Sequence, residues 1–132
     1  DVTLGAQMPS GKYFLYLWRS VPQFSTFSKF KGRGNSDGTF VPMDHQPRLV
    51  SIMRPGAASN HHISDSDRGS GSPVEKYNNM ESGSGEGNTT RDIDFNSNGI
   101  KIRDSTGDIN ASGADHIVAA WAKAPRKFSR AQ

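Results

Sequence analysis

The chain has 132 residues, with 16 Lys and Arg, 13 Asp and Glu, a net charge of +3, 14 Gly, 7 Pro and no Cys. Leu, Ile, Val and Phe supply only 24 of the residues, so a folded domain of this length has a thin core. The composition excludes disulfides, thiolate metal sites and cysteine nucleophiles, and its glycine and proline exclude a helical bundle; no apolar run approaches the roughly 20 residues of a membrane helix.

The length suits one domain. We read residues 1–12 as an N-terminal arm, 13–128 as a single β-rich module and 129–132 as a C-terminal tail. Residue 1 is Asp with no leader pattern after it, which reads as a chain processed, truncated or cut from a longer one.

In chain order, Tyr13-Phe14-Leu15-Tyr16-Leu17-Trp18 is a continuous apolar run between Gly11 and Pro22. It predicts a strand buried on both faces, with Trp18 inside. Phe24, Phe27 and Phe30 follow in polar surroundings and are candidate contacts with a neighbouring subunit. Lys29-Phe30-Lys31-Gly32-Arg33-Gly34 reads as a basic turn leading to a short strand at Phe40-Val41. One such hexapeptide is a weak nucleic-acid signal.

Arg48–Met53, entered after Pro47 and stopped by Pro55-Gly56, predicts a strand. His61–Ser64 predicts a weaker one, in which adjacent histidines point to opposite faces. Residues 66–91 form a long Gly/Ser-rich loop whose anchors are Val74, Tyr77 and Met80. As a functional surface, the loop offers Tyr77 and Met80 to a partner.

Asp92–Arg103 alternates polar and apolar residues on both sides of Asn98-Gly99, the pattern of a hairpin. Pairing Phe95 with Ile100 across a four-residue loop sets Ile93 opposite Ile102 on the core side. On the other side it predicts two ion pairs, Asp94 with Lys101 and Asp92 with Arg103. Ile117–Ala122 is short and lies between Gly113 and Pro125, which favours a strand.

Charge is uneven. Basic ends flank an acidic stretch over residues 61–115, a pattern that permits end-to-middle contact between copies. The ends also resemble each other. At an offset of 103 residues, Trp18 aligns with Trp121, Pro22 with Pro125 and Phe14-Leu15 with Ile117-Val118; a Phe-Ser pair follows each, with one residue of slippage. One unit of an array would look like this.

Motifs for chemistry are sparse. There is no phosphate loop, nucleophile elbow or helical metal pair. The Asp92–Gly99 stretch fails as a calcium loop, with glycine two places late and Arg103 where a glutamate is needed. Asp65, Asp67 and Glu75 are read as solvated loop acids. Asn88-Thr89-Thr90 and Asn110-Ala111-Ser112 match the N-glycosylation pattern. No catalytic residue, metal site or cofactor is expected.

Asp94–Arg103, Gly107–Gly113 and Ala119–Pro125, together with Phe27–Phe30, Gly34–Gly38, Val50–Arg54 and Asp65–Gly69, carry a resemblance. The chain resembles a repeat module of bacteriophage tail-fibre-like or concatemer-like virion proteins across roughly residues 13–128. It departs from that pattern at Asn96, at Asp44-His45-Gln46, at His61-His62 and around His116, where the family places apolar or aromatic residues. The resemblance implies an all-β module in tandem and carries over no catalytic residues.

The expectation is an all-β fold, an antiparallel two-layer sandwich or jelly-roll-like module with long loops. The expected function is that of a non-enzymatic phage structural protein, a tail fibre or related attachment component on the particle surface or tail. The alternatives are a capsid-decorating or head-fibre protein and a glycan-binding receptor module. Expected partners are other virion proteins, copies of the chain and a host-surface glycan, with neither nucleic acid nor membrane. Trp18 and Trp121, read as buried, count against the glycan reading.

Overall fold

The computed structural model describes residues 11, 12, 14, 16–68, 71–87 and 91–124. Eight strands and one short helix fall among them: β1 Ser25–Lys31, β2 Phe40–Pro42, β3 Pro47–Met53, β4 His62–Asp65, β5 Asn78–Asn79, β6 Ile93–Asn96, β7 Gly99–Ile102, α1 Gly107–Asn110 and β8 Asp115–Ala122. A five-stranded sheet runs β1-β8-β3-β4-β5 and a three-stranded sheet runs β2-β7-β6. Every named pair is antiparallel. The fold is thus an all-β sandwich of two antiparallel sheets. The expected arm and tail lie largely outside the described residues.

Strand alternation assigns the faces. In β8, His116, Val118 and Ala120 are buried while Asp115 and Ile117 are exposed. Their neighbours Val50 and Ile52 on β3, and His62 and Ser64 on β4, are buried on the same side. The smaller sheet covers this face with Val41, Ile93, Ile100 and Ile102, and α1 adds Ile109. Asn110 closes one end of the sandwich. Its side-chain oxygen accepts from the Arg33 N–H at 2.7 Å, and its amide donates to the carbonyls of Asn35 and Asp104 at 2.8 and 2.6 Å. With the amide fully buried and committed, the glycosylation reading of Asn110 fails; the Asn88 sequence lies outside the described residues.

The hairpin register is as the alternation predicts. Ile93 pairs with Ile102, Asp94 with Lys101 and Phe95 with Ile100, while Asn96 and Gly99 pair as well, so the turn itself is Ser97-Asn98. The ion pairs differ from expectation. Arg103 Nε reaches diagonally to Asp94 at 2.6 Å, and Lys101 Nζ turns to Asp37 at 2.7 Å. Sheet twist brings diagonal partners within reach of long side chains. Asp92 lies partly buried beside Glu75 and Asp104, and burial first, then these acids, raise its pKa.

Two local expectations fail. Over 16–20 the chain is irregular, with Tyr16, Leu17 and Trp18 exposed, and Phe14 before them is 92% exposed. Tyr13 and Leu15 of that run lie outside the described residues. The basic stretch Lys29-Phe30-Lys31 belongs to strand β1 rather than to a turn.

Gly99 shows how closely β2 and β7 approach. Its φ is +145°, and a Cβ there would sit 2.2 Å from the Val41 carbonyl oxygen. Gly56 has φ +73° with nothing within 4 Å. Gly99→Ala should therefore cost about 2–3 kcal/mol in urea unfolding, from strain plus collision. Gly56→Ala should cost about 1 kcal/mol, from the left-handed conformation alone.

Candidate functional site

The outer face of the five-stranded sheet carries an aromatic platform. Phe27 on β1 and Trp121 on β8 pack edge-on with centroids 5.6 Å apart. Trp18, from the irregular segment before β1, stacks on Phe27 at 6.0 Å and meets Trp121 edge-on at 5.8 Å. Such geometries are favourable beyond simple area burial. Trp18 nevertheless remains 64% exposed, and Tyr16 and Leu17 beside it 76% and 69%. Trp18 is therefore not the core residue the apolar run predicts.

The same face continues through half-buried Ala119 and Leu49 and exposed Ile117. Met80, 61% exposed, accepts a hydrogen bond on its sulfur from Ser51 Oγ. Ser20 caps the edge beside the platform. Its hydroxyl accepts from the Phe27 N–H at 2.9 Å and donates to the Phe27 carbonyl at 3.3 Å. A strand cannot add there without displacing it.

The five expected contact residues divide. Phe27 and Met80 lie on the outer face, and Phe24 is borderline exposed. Phe30 is a core residue, 8% exposed and stacked on the His116 ring at 5.2 Å. The reason is alternation: Phe27 and Phe30 are three apart on one strand, so they face opposite sides. Tyr77 is held inward, in a polar latch that no local sequence pattern announces.

That latch ties the long loop to the body. Arg91 donates to the Tyr77 hydroxyl at 2.6 Å and to Asp108 at 2.5 Å, with its guanidinium carbon 4.6 Å from the Tyr77 ring centroid. Asn60 donates to the same carboxylate at 3.3 Å. His62 also stacks on the Tyr77 ring, at 5.0 Å. Gly87 permits the arrangement, because a Cβ there would lie 2.3 Å from the tyrosine ring. The loop adds two backbone bonds between Val74 and Ile93, and β5 pairs with β4.

His62 is fully buried while His61 is exposed, the split that adjacent strand positions predict. Ser64 Oγ donates to the Lys76 carbonyl, so His62 Nε2 donates to that hydroxyl at 2.7 Å. Its Nδ1 is then a buried acceptor without a partner. Burial above all, then the nearby Arg91 charge, pushes its pKa down to about 3. Asp108 is held below the usual carboxylate range by Arg91 and Asn60, against the opposing effect of burial.

Among the described residues no group of three or more His, Asp or Glu is placed to hold a metal. No helix among them is long and apolar enough to cross a membrane. The chemistry on display is that of surfaces: an uncovered aromatic face and a loop fastened by buried polar contacts.

A family profile described as "Domain of unknown function (DUF7483)" matches residues 2–125. The chain belongs to that family. No curated protein and no solved structure matches it.

The latch makes stability depend on pH. Above the unfolded histidine value of 6.5, His62 is neutral in both states and costs nothing. As pH falls toward about 3, the unfolded chain binds a proton that the folded chain refuses, so stability is lost across this window. Asp108 loses its contribution lower still, and Asp92, with its raised pKa, opposes the trend. Thermal unfolding at pH 7 and pH 4 should show a lower midpoint in acid. His62→Phe, which keeps a ring on Tyr77, should shrink that difference.

Proposed function

We propose that the chain is a non-enzymatic assembly module of a phage particle, a tail-fibre component or a related surface protein, which packs against copies of itself through the aromatic platform. The phage assignment rests on the order and spacing of the sequence motifs. The mode of action rests on one observation: Trp18 stands exposed against Phe27 and Trp121, at the end of a segment whose Phe14, Tyr16 and Leu17 are exposed too. Apolar burial is worth roughly 25 cal/mol per Å², so several large side chains left in water amount to an unfilled interface.

A second copy is the occupant this surface fits. The exposed stretch is itself similar to β8, and Trp18 matches Trp121 in that likeness. The partner of Trp18 here is the sheet that carries Trp121. A surface that recognises its own kind of element closes on like copies. Ser20 caps the β1 edge at Phe27, so face packing is favoured over strand addition at that point. In a particle, neighbouring virion proteins would meet the same face, as would the capsid in a decorating or head-fibre role.

The glycan-binding reading gains one observation. The exposure of Trp18 removes the objection that both tryptophans are buried. Flat aromatic rings on an open sheet can stack on sugar rings.

Self-association decides between the two. The chain should sediment as a concentration-dependent oligomer. The double variant Leu17→Ser, Trp18→Ser should remain monomeric, with an unchanged far-ultraviolet dichroism spectrum. A chain that stays monomeric at every concentration, while its tryptophan fluorescence responds to oligosaccharides, would favour the receptor module instead.

A further inference from the structure

The outer face of the five-stranded sheet carries a hole as well as a platform. The hole has a volume of about 120 Å³ and is lined by Leu49, Ile63, Ser64, Asp65, Arg68 and Asn78. Leu49, Ile63 and Asp65 alternate with the inward-facing Val50, His62 and Ser64, so they share a face with Phe27 and Trp121. Leu49 and Ile63 give it an aliphatic floor, and Asp65, Arg68 and Asn78 a polar rim. The volume equals that of about four waters in the liquid, which is room for one branched aliphatic side chain.

The matching knob is Leu17. Trp18 turns onto its own sheet, against Phe27 and Trp121, while Leu17 beside it stays 69% exposed. The knob does not fill the hole of its own chain. Trp18 sits over β1 and β8, the hole lies across β3, β4 and β5, and the strand order separates the two by about 12 Å at the usual spacing. Their level along the strands is nevertheless the same. Trp121 pairs with Leu49 and Leu49 with Asp65, while Phe27, Ala119, Ser51 and Ile63 form the next row. A twofold axis parallel to the strands, passing between β8 and β3, therefore carries each knob onto the hole of the other copy. Both contacts form at once, the reciprocity of a closed dimer.

We infer that two copies stack their five-stranded sheets face to face about this axis, each Leu17 seated in the other copy's Leu49–Ile63 hole. The inference rests on the assembly reading above and adds to it the receiving surface and the symmetry. Charge favours the same arrangement. Arg19 and Lys29 are exposed on the knob side, and half-buried Asp65 stands at the hole, where Arg68 is already paired with Glu86. Rotation about an axis along the strands brings the basic side toward Asp65; an axis across the strands would set the basic side against itself. The face spans roughly 20 Å across its five strands and about 25 Å along β8, on the order of 500 Å² before its corrugation and the exposed Phe14, Tyr16 and Leu17 are added. That approaches the roughly 800 Å² per partner of stable interfaces.

The chain has no cysteine, so single introduced thiols report the geometry. Tyr16→Cys places a thiol beside the knob and leaves Leu17 in place, and Asn78→Cys places one at the rim of the hole. These two variants are mixed at concentrations where the unaltered chain associates and treated with a short bismaleimide. They should cross-link several times faster than Tyr16→Cys with Asn98→Cys, which lies on the hairpin turn of the other sheet. Filling the hole with Ile63→Trp should weaken self-association in sedimentation by about tenfold or more, the worth of one buried leucine, with an unchanged dichroism spectrum. The inference is overturned if Asn78→Cys reacts no faster than Asn98→Cys, or if Tyr16→Cys links chiefly to itself. A folded Ile63→Trp that associates as tightly as the unaltered chain would also overturn it. In each of these cases the assembly reading survives, provided the unaltered chain associates and the Leu17→Ser, Trp18→Ser variant does not. A chain that is monomeric at every concentration removes both. The cross-linking decides even if Ile63→Trp fails to fold.

Discussion

The register Ser25–Trp121 through Lys31–Asp115 on one side, and Leu49–Trp121 through Met53–Ile117 on the other, places β8 between two strands that precede it far back in the chain. The five-stranded sheet and both of its faces depend on this insertion. β1 has no other strand neighbour in its sheet, and the outer platform exists only because Phe27 and Trp121 are brought side by side. The inner face of β8 supplies His116, Val118 and Ala120 to the core that the smaller sheet covers. Such pairing closes long loops before it yields contacts, so it is entropically expensive and favours late, cooperative completion of the sheet. The hairpin β6–β7 is local by contrast and carries its own register.

A thin core has to be filled with what is available. Two histidines serve as flat rings: His62 lies against Tyr77 and His116 against Phe30, with interplanar angles of 26° and 16°. Imidazole in this role stacks as a phenyl ring would but keeps its nitrogens, and those nitrogens must be dealt with. His116 Nδ1 is 3.2 Å from the Ala114 carbonyl, whereas His62 leaves one nitrogen bare. Burial lowers the pKa of both rings. Acid sensitivity thus follows directly from building an aromatic core partly of histidine.

What could be read from the residue order follows the physics of each element. The hairpin register was legible because period-two alternation on both arms admits only one pairing that buries Ile93, Phe95, Ile100 and Ile102 together. Its ion pairs were not, because facing positions say nothing about twist and diagonal reach. β3 and β8 stood out as apolar runs bounded by Pro or Gly, and β4 more weakly, as His61–Ser64 before the polar Asp65-Ser66-Asp67. β1 did not, since its two phenylalanines face opposite sides and its other positions are Ser, Thr and Lys. The stretch before Trp18 is as apolar as any strand, but apolarity does not reveal whether a partner strand is present. The Arg91–Asp108–Tyr77 latch was invisible because its members meet only after the loop and α1 have been placed.

The turn between Trp18 and Ser25 borders both the platform and a shallow concavity of larger and smaller lobes that meet at Asp44. Ser20 shows this most directly, since its hydroxyl caps Phe27 on the platform side while the residue also lines the larger lobe. Ser25 Oγ donates to the Arg19 carbonyl at 3.2 Å, and the Val21 and Ser25 backbones exchange hydrogen bonds at 2.9 Å in both directions. The turn is therefore a braced unit rather than a slack connection. Contacts on one side act on the same few backbone bonds that shape the other. In the proposed assembly role this rigidity would count, because the platform keeps its geometry only if the segment that carries Trp18 does not yield.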